Sequence, residues 1–157
     1  MTPVHKWPVA LVVGALCFVA GLETGRDVAS AQGRKGVYVT RMFTGPDNQT
    51  HVEEVEARFA LTGTRDVAQL MKITGAELHR TKAGTVNDWH PAPQRQYVIT
   101  LSGRGEIELA GGKKIALEPG HIELAEDLTG KGHITRAIGS EDRITLWLPL
   151  ADQPAKK

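Results

Sequence analysis

Six histidines and eighteen acidic side chains supply most of the groups in this chain that could bind a ligand or move a proton. Four stretches place such groups at strand spacing. In Ala76 to Thr81, Glu77, His79 and Thr81 share one face and Leu78 and Arg80 the other; alternation leaves open which face is inward. In Trp89-His90-Pro91-Ala92-Pro93-Gln94-Arg95-Gln96, an imidazole and an amide stand six residues apart at the entry to an apolar run. His121 and Glu123 share a third face, and Glu126-Asp127 leads through Gly130-Lys131-Gly132 to His133. Imidazoles near one another suit acid-base work or a metal ion, and a strand amide needs a partner because an unpaired one costs roughly 1–3 kcal/mol.

Competing chemistries lack their residues. No Gly-x-Ser-x-Gly elbow, phosphate-cradling glycine loop or Cys-x-x-Cys pair occurs. The single Cys17 excludes an internal disulfide. Nineteen basic against eighteen acidic side chains give a formal charge of +1, which argues against a nucleic-acid partner. The Glu53-Glu54-Glu56 cluster beside His51 reads as a solvated face.

The elements that must position these groups are short strands. After Gln32, apolar residues alternate or run briefly between glycine and proline turns, and nothing sustains a 3.6-residue repeat. The expected strands are Val37 to Thr40, Ala68 to Thr74, Ala76 to Thr81, Gln96 to Leu101, Glu106 to Ala110 and Ile144 to Leu148. Val52 to Leu61 fits strand or helix and leans to strand. Gly111-Gly112 marks a tight primed turn. Such strands hide two apolar faces by forming a double-sheet roll or barrel, so the expected fold is all-β with one domain at residues 32–157.

Residues 1–31 have the layout of a secretory signal peptide. His5 and Lys6 precede an apolar run from Val9 to Leu22, and Ala29-Ser30-Ala31 fits a cleavage site before Gln32. The run falls short of the roughly 20 residues of a membrane span. The expectation is export to a bacterial periplasm or the medium, with no membrane attachment after cleavage. Removing those residues takes away two bases and two acids and leaves the chain near neutral.

Gly84 through His90, Ala92 and Gln96 to Gly103 resembles the first motif of the cupin family, G-x5-H-x-H-x3-E-x6-G, with every spacing kept. The second, G-x5-P-x-G-x2-H-x3-N, is matched more loosely from Gly120 through Gly130 and His133 to Ala137. The resemblance implies a cupin-type double-stranded β-helix, a jelly-roll barrel that commonly forms homodimers. It also implies that His90, Ala92, Gln96 and His133 converge where family members hold a divalent metal with three histidines and a glutamate. Here Ala92 lacks a donor and Gln96 offers a neutral amide, so iron, manganese, zinc or nickel would be held weakly, with His79 or Glu77 as reserve donors. Trp89, Arg95 and Thr81 are the candidate substrate contacts, and Glu77 and Glu126 the candidate catalytic carboxylates. Two functions stay open: binding of a small polar molecule in a metal-capable pocket, and a metal-dependent oxygenase, isomerase or lyase.

Overall fold

The computed structural model describes residues 35–62 and 64–153; Cys17 and the expected leader and cleavage point lie outside the described residues. Six strands, β1 (Tyr38–Thr44), β2 (Thr50–Glu56), β5 (Glu77–Thr81), β7 (Gln96–Ser102), β10 (Ile122–Glu126) and β12 (Arg143–Pro149), form one sheet in the order β2-β1-β10-β7-β12-β5. A second sheet has the order β6-β11-β8-β9, from β6 (Val86–His90), β8 (Arg104–Glu108), β9 (Lys114–Leu117) and β11 (His133–Ile138). A small hairpin joins β3 (Ala60–Thr62) to β4 (Arg65–Val67).

Pairing is antiparallel except for β1 beside β10, where Thr40 stands opposite Glu123. That crossover, with apolar residues of both sheets meeting between them, makes the fold an all-β jelly roll.

Alternation along the strands sets up two apolar layers. Met42, Ala92, Ile107, Leu109, Leu117 and Ala125 meet between the sheets. Val39, Tyr97, Leu124, Leu148 and Leu150 gather on the back of the larger sheet. Along β12, Thr145 and Trp147 line the interior, while Leu146 and Leu148 join the back layer. Gly111 and Gly112, at φ +84° and +82°, lie in the expected hairpin turn before β9, but its bond runs from Gly112 N–H to the Leu109 carbonyl, so Ala110 and Gly111 are central and only the second is left-handed; the turn is not primed.

One expected strand is absent. Residues 68–74 make only a bridge from Ile73 to Leu150. Met71 packs on the back layer instead, so the apolar residues there cap an exposed sheet face rather than extend a sheet. In the ambiguous stretch from Val52 to Leu61 a strand forms, but it ends at Glu56.

Candidate functional site

His90 closes β6 and His133 opens β11, and the two stand opposite each other in the antiparallel register. Gly132 permits this approach. At φ +72° it sits so close to the chain before it that a Cβ would lie 2.0 Å from the His90 carbonyl oxygen. The two imidazoles end with ring centroids 4.6 Å apart and planes tilted by 54°.

Both rings are held from behind. His90 Nδ1 donates to the Asp88 carbonyl oxygen at 2.7 Å. His133 Nδ1 donates to Asp127 Oδ2 at 2.7 Å, and the Thr50 hydroxyl donates to the same oxygen at 2.8 Å. A carbonyl or carboxylate oxygen can only accept, so each ring carries a proton on Nδ1, and the neutral form of either ring has its acceptor at Nε2.

These rings line a cavity of about 70 Å3 between the sheets, together with Gln96, Glu123, Arg143 and Thr145. The strands carry the polar groups inward by alternation: Gln96 from β7, Glu123 from β10, Arg143 and Thr145 from β12. Gln96 is 2% exposed, and its Oε1 accepts a long 3.4 Å bond from Gln94. Glu123 is 6% exposed and hydrogen-bonds to no described residue. Burial pushes its carboxyl up to about 7, with Asp127 adding to the rise and His133 and Arg143 opposing it.

Arg143 is 6% exposed. One of its terminal nitrogens donates to Thr100 Oγ1 at 2.9 Å, while its buried Nε has no acceptor. Burial lowers the guanidinium pKa, and the Glu123 charge acts the other way.

The other sequence candidates divide by strand face. Thr81 lines the cavity. Leu78, 69% exposed, and Arg80 face outward, so Glu77, His79 and Thr81 take the inner phase. Yet His79 is not among the residues lining the cavity. Its ring stacks on Trp147 at 4.3 Å, and its Nε2 meets Glu77 Oε2 at 2.8 Å on the exposed part of the strand. Glu77, the candidate base, is thereby spent on His79 outside the cavity.

Trp89, Arg95 and Glu126 also fall outside the cavity, because each neighbours an inward residue and must point the other way. Trp89 carries the Lys131 ammonium 3.7 Å over its ring. Glu126 bridges Arg41 and Arg95 on the far side of the sheet. Burial would raise the Glu126 carboxyl, but the Arg41 and Arg95 guanidiniums outweigh it and hold it below the usual carboxylate range. These contacts correct the expectations for Trp89 and Arg95 as pocket residues and for Glu126 as a catalytic one.

Arg143 is the site residue that the reading of the sequence did not single out, while Glu123 and Asp127 figured there only as acidic groups on the strands and loop that carry His121 and His133. The available signal for Arg143 was its phase: 143, 145 and 147 alternate onto one face of the last strand.

The donors make a weak set for a divalent metal. His90 and His133 offer two nitrogens, Ala92 offers nothing, and the Gln96 carbonyl already accepts from Gln94. Among the described residues no three His, Cys, Asp or Glu side chains come close enough to hold an ion. The Arg143 cation lines the same cavity and would repel one.

No family model and no curated protein matches the chain. Among solved structures it is similar to the Cnp3 cupin domain of Schizosaccharomyces pombe, at 14% identity over 74% of this chain and 85% of that one, with a TM-score of 0.40. It is also similar to an RmlC-like cupin protein from Desulfovibrio desulfuricans, at 13% identity over 77% of this chain and 92% of that one, with a TM-score of 0.35. The jelly roll built by the two sheets is the architecture that cupins share.

Proposed function

We propose that this is an exported cupin-barrel protein that binds a small polar molecule between His90, His133, Gln96, Glu123 and Arg143. One observation carries the reading: the Glu123 carboxyl is buried, lines the cavity and has no hydrogen-bond partner among the described residues. Leaving such a group unpaired costs about 1–3 kcal/mol, and a ligand or ordered water would recover that. A thermal-shift screen of small polar molecules tests it. A binder should raise the melting temperature by several degrees, and the shift should vanish in Gln96→Leu. A library in which nothing shifts the melting temperature would refute the reading.

A second reading, a metal-dependent oxygenase, isomerase or lyase, draws on the two Nδ1-tethered imidazoles, since that is how metal-ligating histidines are oriented. Elemental analysis of protein prepared without an affinity tag decides it. Stoichiometric iron, manganese, zinc or nickel that disappears in His90→Ala would favour the metal enzyme; a metal-free protein of normal stability favours simple binding.

Export and pairing belong to the same proposal. Mass spectrometry of the exported form should find a chain beginning at Gln32. For a homodimer joined through sheet edges, the support is β5, which ends the larger sheet and presents Leu78 at 69% exposure. Light scattering of a monomer at tens of micromolar would remove that part.

A further inference from the structure

We propose that the molecule bound in the cavity is a small hydroxycarboxylic acid, its carboxylate on the Arg143 guanidinium and its hydroxyl donating to a bare Nε2 of His90 or His133. This rests on the binding reading above and narrows its ligand.

Charge is the first argument. An arginine cannot shed its proton in a protein, so Arg143 brings a permanent cation into the interior. No ion pair joins it to a carboxylate among the described residues. Glu123, the acid that acts on it electrostatically, stands beyond ion-pairing distance. Among the described residues, its hydrogen bonding is limited to the single donation to Thr100 Oγ1. A buried cation left in this state is costly, and a planar carboxylate is the group that matches a guanidinium edge with two charge-assisted bonds.

Hydrogen-bond polarity is the second. With both Nδ1 protons committed, His90 and His133 in their neutral form present an acceptor at Nε2, which a donor on the ligand would pair. A carboxylate alone has none to give, whereas an acid that also carries a hydroxyl does. The Gln96 amide can donate to either end, since only its carbonyl is engaged.

Size is the third. The cavity of about 70 Å3 is roughly half of the ~150 Å3 void that takes up benzene in another protein, which puts the ligand below benzene in size. Sulfate fits the charge but has no proton to donate; hydrogen phosphate has one, and it is therefore included among the probes.

Calorimetry on the full chain tests the assignment with glycolate and lactate, their neutral amides glycolamide and lactamide, glycerol, and inorganic phosphate. The acids should bind at least tenfold more tightly than the amides, and Arg143→Met should erase that preference. Should Arg143→Met fail to fold, the ratio of acid to amide affinity in the unaltered chain decides alone. Amides, glycerol or phosphate binding as well as the acids would overturn the inference and leave the binding reading standing. Failure of every probe, joined to an empty thermal-shift screen, would overturn both.

Discussion

Glu123 sets a pH dependence that one substitution should remove. Its carboxyl titrates near 4.5 when the chain is unfolded and at about 7 when buried, so between these values the native state holds more protons than the unfolded one. The Glu123 contribution to stability is therefore fully present below about 4.5, declines as pH rises and is lost above about 7. At 1.36 kcal/mol per pKa unit the loss is about 3 kcal/mol at most. Glu123→Gln keeps the shape and cannot ionise. Urea unfolding at pH 5 and pH 8 should show the parent losing stability and the variant holding it. An equal loss in both would mean that Glu123 is already charged in the folded protein. Glu126 runs the opposite way, because its arginine partners hold its carboxyl down: its contribution fades only as pH falls below the ordinary carboxylate range. The two windows are thus separable.

At the scale of elements, the closure of β6 on β11 depends on backbone more than on side chains. Gly132 has φ +72° and leaves no room for a Cβ, whereas Gly111 has φ +84° and open space around it. Gly132→Ala combines backbone strain with a collision and should cost about 3 kcal/mol or prevent folding, while Gly111→Ala should cost about 1 kcal/mol. Denaturant midpoints of the pair would tell; equal midpoints would mean that the strands tolerate separation at His90. This is also where the sequence was informative. The resemblance to the cupin motifs implied that His90 and His133 meet, and paired glycines marked the β8 to β9 turn. Less was visible wherever a distant pairing decides burial. The parallel register of β1 on β10 runs beside Glu123, and residues 38–44 carry no mark of that partner. The stretch at 68–74 is as apolar as a strand, but its neighbours on the back of the sheet claim its side chains for a cap. Arg95 and Glu126 carry charges that suit a pocket, and only the placement of Arg41 and the outward phase of β10 turn them into an outer ion network.

Across the whole molecule, the space between the sheets is divided. One part is filled by Met42, Ile107, Leu109 and Leu117 and supplies apolar burial; the other holds polar groups around the cavity and contributes little of that kind. The polar part therefore needs its own fastening. Thr50 at the end of the larger sheet and His133 in the smaller sheet both bind Asp127 Oδ2, so one fully buried carboxylate joins the two sheets. Removing it orphans a hydroxyl and an imidazole at once. Asp127→Ala should destabilise the fold by about 3 kcal/mol, in the range found when one partner of a buried pair is deleted. Asp127→Asn keeps an acceptor oxygen for one of the two donors and should lose about half as much. The same substitutions should release the His133 tautomer, because nothing else among the described residues holds its Nδ1 proton, and nitrogen-15 NMR of the ring reads this directly. If Asp127→Ala unfolds at the parent's urea midpoint with the tautomer unchanged, the sheets are fastened by apolar packing alone and the dyad serves only the ligand.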